Sequence, residues 1–301
     1  MFKVLIMGGT QFVSKALAQH LITTGHQVDI FTRGHKEIDY NGIHQHLIGD
    51  RNSIGDLRNN LSDHTYDYIF DINAYTKDQI KKVIDNINPI QLKRYIFCSS
   101  GAVYAPSEKE ISETFLKEEH PIWGKYGMNK MEAEDYLFQL HSEKDFPITI
   151  FRPSYIYGGG NNIYRESYFF DRIEKKLNIP LPEGHCQVQF VHITDVVQIM
   201  ESVMYNERSN GEAYNLTYSE SVSWKKLLET AEKVMKKKAV ESEKEDYISV
   251  NSLDTKEGKF PFPNVTYLLD NNKSIKHGLF SPVIDLQAGL EEAYKFQIQR
   301  H

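Results

Sequence analysis

Cysteine is nearly absent from this chain of 301 residues, with only Cys98 and Cys186 present. Two thiols cannot build a disulfide framework, and nothing in them implies an oxidising compartment. An excess of positive charge is lacking too. Lysine and arginine number 35 against 41 aspartate and glutamate, a formal net charge of −6. With an isoelectric point near 6.1, the chain offers no electrostatic footprint for nucleic acid. No apolar run approaches the roughly 20 residues of a membrane span. The opening Met1-Phe2-Lys3-Val4-Leu5-Ile6-Met7 has the look of a leader peptide, but its apolar stretch is short and enters a glycine turn. A first β-strand and a cytoplasmic location are therefore expected. Metal-ligand spacing is missing as well. His44-x-His46 would alternate along a strand, and His185, Cys186 and His192 lack a complete set, so no metal is expected. Internal repeats and long low-complexity segments are also absent.

What remains is an ordinary globular composition, 40% hydrophobic and 25% charged, long enough for one large α/β domain with a smaller lobe. Val4–Met7, Val28–Phe31, Tyr68–Phe70, Tyr95–Cys98 and Ile148–Phe151 have the β-branched and aromatic content of buried strands. Between the first two, Phe12, Val13, Ala16, Leu17 and Leu21 form a helical stripe closed by Gly25. Repeated strand–helix–strand units predict a parallel, doubly wound sheet. After Arg152-Pro153 the texture changes, with a turn cluster at Gly158–Asn162 and an aromatic, mixed-charge stretch to Leu177. Phe190–Ile193 reads as a return to the main sheet, and Val196–Met204 as a further helix. Trp224–Lys238 reads as a basic amphipathic helix, and Glu241–Asp246 as a charge-rich connector. The expected division is a dinucleotide-binding domain over 1–152, with 186–208 returning to it. A substrate lobe is expected from the discontinuous segments 153–185 and 209–301.

Within the longest helix candidate, Tyr126 to His141, Tyr126-Gly-Met-Asn-Lys130 places a phenol and an ammonium on one face, because i and i+4 are helical neighbours. A fixed ammonium favours the phenolate of a group whose ordinary pKa is near 10. Ser100, upstream in Phe97-Cys98-Ser99-Ser100-Gly101-Ala102-Val103-Tyr104, supplies a hydroxyl to bond a substrate oxygen while a proton moves. This set suits removing or returning the proton of an alcohol as a hydride leaves or reaches its carbon.

Gly8-Gly9-Thr10-Gln11-Phe12-Val13-Ser14 lies between the first strand and first helix, where backbone N–H groups suit a pyrophosphate. Gln11 and Ser14 occupy places where glycines are usual. The second strand ends Phe31-Thr32-Arg33-Gly34-His35-Lys36, without the carboxylate that binds a ribose diol. Arg33 in its place favours the 2′-phosphate of NADP, with NAD as the alternative. Asp50 and Asn73-Ala74 follow the third and fourth strands, where a cofactor would lie.

Together these residues resemble the extended short-chain dehydrogenase/reductase superfamily, the NAD(P)-dependent sugar epimerase/dehydratase group. The resemblance covers nearly the whole chain. It continues through Arg152-Pro153 with Tyr157-Gly158, Phe190-Val191-His192 with Asp195, and Gly211-Glu212-Ala213-Tyr214-Asn215-Leu216. It implies a Rossmann domain with a small C-terminal lobe, Tyr126 as base, Lys130 tuning it and holding the nicotinamide ribose, and Ser100 on the reacting oxygen. A homodimer through the helix bearing Met131, Leu137 and Leu140 is implied too. Family dehydratases carry an acidic pair where this chain has Gly101 and Ala102, so dehydration is not expected. Val188 replaces an arginine that grips the diphosphate in nucleotide-sugar epimerases. No arginine lies between Arg208 and Arg300, which leaves lysines such as Lys256 or Lys259 as substitutes. Gly-Gly-Thr-x-Phe-Val, Thr32-Arg33-Gly34, Gly49-Asp50-Arg51 and Val188-Gln189-Phe190 are most similar to the branch containing chloroplast stem-loop RNA-binding proteins.

The expected activity is hydride transfer at a carbinol carbon of a sugar, nucleotide sugar or sugar-like substrate, by an epimerase or a reductase. The alternative is a non-catalytic dinucleotide- or RNA-binding protein on the same fold. Expected cofactor contacts are Gly8, Gly9, Thr10, Gln11, Phe12, Val13, Arg33, Asp50, Arg51, Asn73, Ala74, Ser99, Tyr126, Lys130 and Pro153. Expected substrate contacts are Ser100, Val103, Tyr104, Tyr155, Asn161 and Gln189. The aromatic group Tyr155, Tyr157, Tyr164, Tyr168, Phe169 and Phe170 suits either a pocket lining or core packing.

Overall fold

The computed structural model describes residues 1–236, 240–241 and 260–299. Lys237, Lys238, Lys256, Lys259, Arg300 and the part of the expected connector beyond Glu241 lie outside them. The first half alternates strand and helix: β1 (Lys3–Met7), α1 (Phe12–Thr23), β2 (Gln27–Thr32), β3 (Gln45–Ile48), α2 (Ile54–Leu61), β4 (Tyr68–Asp71), α3 (Lys77–Ile84), β5 (Arg94–Cys98), α4 (Gly124–Lys144) and β6 (Ile148–Pro153). The rest comprises β7 (Tyr155–Tyr157), α5 (Glu166–Glu174), β8 (Asn178–Ile179), β9 (Val188–His192), α6 (Ile193–Ser202), β10 (Glu212–Leu216), β11 (Ser221–Val222), α7 (Trp224–Met235), β12 (Val240–Glu241), α8 (Asn272–Lys276) and α9 (Leu286–Ile298).

Seven strands form one parallel sheet in the order β10-β6-β5-β4-β1-β2-β3. Parallel neighbours require crossovers, and helices on both faces supply them. The alternation along β1 shows how the layers are divided. Val4 and Ile6 pack with Leu17 and Leu21 of α1 and Val196 and Met200 of α6. Leu5 and Met7 face the other way, into a core with Leu57 of α2, Ile80 of α3 and Leu137 of α4. The order and the helices on both faces make this a doubly wound Rossmann-like fold. Gly25 closes α1 in the left-handed region, φ +87°, as its place after the apolar stripe requires.

The reading of Phe190–Ile193 as a return to the main sheet is corrected. Strand β9 pairs with β7 and β11 in a separate three-stranded sheet, and β10 takes the main-sheet edge beside β6. Both segments are buried runs, so periodicity identifies a strand but not its neighbour. Val188 and Phe190 enter a third core, with Tyr155, Tyr168, Trp224 and Phe262, whereas Val191 enters the core beneath α1 and α6. Strand β9 is thus the seam between the two parts. Tyr157, Phe169 and Phe170 are also buried in this third core. Leu137 and Leu140 are buried within the chain itself.

The long helix α4 is fixed by one buried ion pair. Glu134 accepts from Arg152 of β6 at 3.0 and 3.1 Å from Nε and 2.6 Å from Nη2. Arg152 also donates to the Tyr104 hydroxyl at 2.8 Å, which donates to Asn215 of β10 at 2.6 Å. Removing one partner of such a pair leaves an uncompensated buried charge. Glu134→Ala should therefore cost about 3–5 kcal/mol of stability, read as a lower urea midpoint by far-UV circular dichroism. An unchanged midpoint would show that this pair does not anchor the helix.

Candidate active site

The turn from β1 into α1 is held open by close packing. Gly8 and Gly9 both adopt φ +124°. A Cβ on Gly8 would lie 2.8 Å from Ser14 Cβ, and one on Gly9 would lie 2.7 Å from Ile30. Gln11 sits in extended backbone, φ −142°, so a side chain is tolerated there and stands exposed. Besides the two glycines, Phe12 is the residue of this turn with positive φ, at 33°. Ser14 donates to the Gln11 carbonyl at 2.9 Å, and Tyr40 donates to the Gly9 carbonyl at 2.6 Å. Phe12 and Val13 open the helix and pack against the core. Sequence reading missed Tyr40, whose contact spans a gap that no local pattern encodes.

Beside this turn runs a cleft of about 440 Å³, lined by Gly8, Thr10 and Gln11, the tip from Phe31 to Lys36, Gly49 to Asn52, Asn73, Tyr75 and Gln79. The cleft has the size and donors for part of a dinucleotide: a glycine turn, a helix N-terminus and a basic lip. Arg33 is exposed on that lip. Opposite it, the Asp50 carboxyl lies below its ordinary pKa, first through the Asn52 backbone N–H and then through the Asn52 side chain and Arg33. Arg51 is engaged within the protein. It borders the cleft, but its guanidinium is buried and forks onto Asp71 at 2.8 and 2.7 Å, with a further hydrogen bond to Asn73. Its charge neutralises a fully buried carboxylate that also accepts from Tyr95 at 2.5 Å. Arg51 therefore shapes the cleft floor.

Tyr75 leads from the cleft to the Ser100–Tyr126–Lys130 group, its ring meeting Tyr126 edge-on at 6.2 Å. Ser100 follows β5 and accepts from the Ala102 N–H at 3.2 Å. Helix α4 approaches this turn so closely that a Cβ on Gly127 would lie 2.3 Å from the Ala102 carbonyl oxygen. Glycine after Tyr126 thus brings the phenol to the serine. Tyr126 is 39% exposed as a whole, but desolvation at its phenol end raises the pKa to about 12, and the nearby Ser100 side chain acts against that rise.

Lys130 is placed differently from the expectation that it lies beside the phenol oxygen. Its ammonium donates to the carbonyls of Ala74 and Cys98, each at 2.7 Å, and stands 6.0 Å from the Tyr126 ring centre. Burial lowers its pKa to about 8. A buried ammonium needs acceptors, and carbonyls at the ends of two strands supply them directly under the ring.

The other expected residues divide. Ser99 is buried with its hydroxyl unpartnered, and Pro153 is buried at the end of β6. Asn161 is partly exposed and donates to Glu166 at 2.9 Å. Val103, Tyr104 and Gln189, expected as substrate contacts, are buried. Val103 is fully buried, Tyr104 joins Arg152 to Asn215, and the Gln189 side chain accepts from the Leu269 N–H at 2.7 Å. Tyr155 is buried with its hydroxyl free of partners. His44 and His46 pair with Asp29 and Thr32, at 2.7 Å each. Trp123, Arg165 and Tyr267 gather near Tyr126 without any signal in the motifs, because they come from separate segments. Among the described residues no helix is long and apolar enough to cross a membrane.

Comparison with known proteins identifies relatives of the chain. Residues 4–217 match the model of the NAD dependent epimerase/dehydratase family. The chloroplast stem-loop binding protein of 41 kDa b from Arabidopsis thaliana is 29% identical, over 99% of this chain and 80% of its own length. Among solved structures, UDP-glucose 4-epimerase from Thermotoga maritima superposes with a TM-score of 0.80 at 17% identity, over 99% of each chain. UDP-glucuronic acid 4-epimerase from Bacillus cereus gives 0.77 at 19% identity, over 99% of this chain and 100% of its own. With more than half of its length matched by the family model, the chain belongs to the NAD dependent epimerase/dehydratase family.

Proposed function

We propose that this protein transfers hydride reversibly at a carbinol carbon of a sugar or sugar-like substrate, as an epimerase or a reductase. The observation that carries this reading is the close approach of α4 at Gly127, which brings the Tyr126 phenol to the Ser100 turn, above the buried Lys130 and beside Tyr75 of the glycine-turn cleft. A bound nicotinamide would supply the hydride acceptor and donor. Tyr126, as phenolate, takes the hydroxyl proton of the carbinol through Oη as the hydride leaves the carbon, and returns it in the reverse direction. Ser100 orients the same substrate oxygen. Lys130 holds the floor of the site and would meet the ribose of a bound cofactor. An epimerase returns the hydride to the opposite face of the carbon, and a reductase exchanges the cofactor.

Likeness to proteins crystallised with UDP-glucose and UDP-glucuronic acid supports a nucleotide sugar as substrate. Gly101 and Ala102 carry no carboxylate for eliminating water, which supports epimerase or reductase over dehydratase. Arg33 on an exposed basic lip with His35 and Lys36 supports NADP over NAD. One observation favours a second reading: a relative named for stem-loop binding aligns with 99% of this chain. A net charge of −6 weighs against it, since phosphate contacts dominate nucleic-acid affinity.

Tyr126→Phe removes only the titrating hydroxyl. Turnover of a UDP-sugar should fall by about 10²–10⁴-fold while cofactor affinity is unchanged, and normal turnover would refute the mechanism. By calorimetry NADP(H) should bind more tightly than NAD(H), and Arg33→Ala should erase most of the difference. Equal or tighter NAD binding in the wild type refutes that preference. Stem-loop RNA should bind only weakly and be released by salt. RNA binding that persists at physiological salt and competes with dinucleotide would make the second reading the better one.

A further inference from the structure

Among the described residues, three buried polar atoms have no hydrogen-bond partner and come from side chains that pack on one another: Trp123 Nε1, Tyr155 Oη and Arg165 Nε. Two of them are obligate donors and the third can donate. They come from separate places, the residue before α4, strand β7 and the residue before α5. Aromatic packing brings them together. The Arg165 guanidinium lies 5.0 Å over the Tyr155 ring, and Trp123 meets Tyr155 edge-on at 6.4 Å.

The group adjoins the reacting residues. Trp123 accepts at its carbonyl from the Tyr126 N–H at 3.0 Å and packs 6.0 Å from the Tyr267 ring. The Tyr267 hydroxyl lies only 1.9 Å from where a Cβ on Gly101 would stand, next to Ser100. Burial dominates the Tyr126 phenol, and the positive charge of Arg165 is among the weaker influences lowering it.

The buried Arg51 and Arg152 are matched by Asp71 and Glu134, and the buried Arg94 lies 3.7 Å from Glu207, whereas Arg165 is half-buried. Arg165 instead lies across the faces of Tyr155 and Phe262, at 5.0 and 5.5 Å. Its neighbour Glu166 accepts from the Gly158 N–H and Asn161, at 3.0 and 2.9 Å. A positive charge flanked by unmet donors is a site that lacks an acceptor, and a negatively charged oxygen is the acceptor that answers both needs.

We propose that Arg165, Tyr155 and Trp123 form a subsite for an oxyanion, a carboxylate or phosphate carried by the substrate near its reacting carbon. This rests on Tyr126 marking that carbon. The subsite assigns part of the anion recognition to the segment before α5, away from the Val188 position where the family arginine is missing. It selects acidic or phosphorylated sugars over neutral ones.

Equilibrium binding to the full chain tests this by calorimetry, with inorganic phosphate, glucuronate and neutral methyl glucoside as probes. At least one anion should bind the wild type more tightly than methyl glucoside, and the tighter of the two identifies the source of the oxyanion. Arg165→Met should weaken that anion at least tenfold. Tyr155→Phe and Trp123→Phe, which keep an aromatic ring and remove one donor, should each weaken it about threefold. No anion binding to the wild type, or wild-type anion affinity in all three variants, overturns the subsite and leaves the donors to water. The readout needs no turnover, so Tyr126→Phe should still bind the anion. A failure of hydride chemistry at Tyr126 is thereby distinguished from a failure of the subsite.

Discussion

A buried ammonium has few places to go, and the position of Lys130 organises everything around it. Its protons reach the carbonyl of Cys98 at the end of β5 and that of Ala74 just beyond β4. One side chain from α4 therefore ties the helix to two strand ends of the sheet. Aromatic faces close the space around it, Phe97 at 4.7 Å and Tyr75 at 5.4 Å. Burial disfavours its charge, while carbonyl dipoles and ring faces favour it. The Tyr126 ring centre lies 6.0 Å from this charge, and the close approach of α4 at Gly127 brings its phenol to the serine turn.

Two ion pairs hold that arrangement from below. Arg152 and Glu134 set the rotation of α4, one turn past Lys130. Arg51 and Asp71 sit under the cleft, and Asp71 also accepts from the Ala74 N–H at 3.1 Å, the residue whose carbonyl receives the lysine. Buried pairs of this kind are weak evidence for stability but strong constraints on geometry, because breaking one leaves a bare charge. Gly127 adds a steric constraint, since any side chain there would push α4 from the serine turn. The site is thus positioned by helix, strand ends and turn together, with little left to mobile loops.

Much of this was legible in the residues alone. The strand periodicity, the glycine turn and the apolar stripe of α1 are local, and local features are what sequence patterns encode. The Tyr126–Lys130 spacing was legible for the same reason. The destination of the ammonium was not, because it depends on carbonyls more than thirty residues away in the chain. Arg51 read as a cofactor contact because its buried partner, Asp71, lies on another strand. Strands β9 and β10 share a buried pattern, so their exchange of sheets was invisible. Arg165 and Trp123 escaped notice because what marks them is a missing partner, which only three-dimensional packing reveals.

We propose that the glycine-turn cleft, lined as far as Tyr75, continues past Lys130 to Tyr126 as one dinucleotide site. Fluorescence titration of reduced nicotinamide dinucleotide into wild type and Lys130→Met tests it most directly, with far-UV circular dichroism confirming that the variant is folded. Binding to the wild type and at least tenfold weaker binding to the folded variant is the predicted result. Equal affinity in both proteins, or no binding to the wild type, would contradict it.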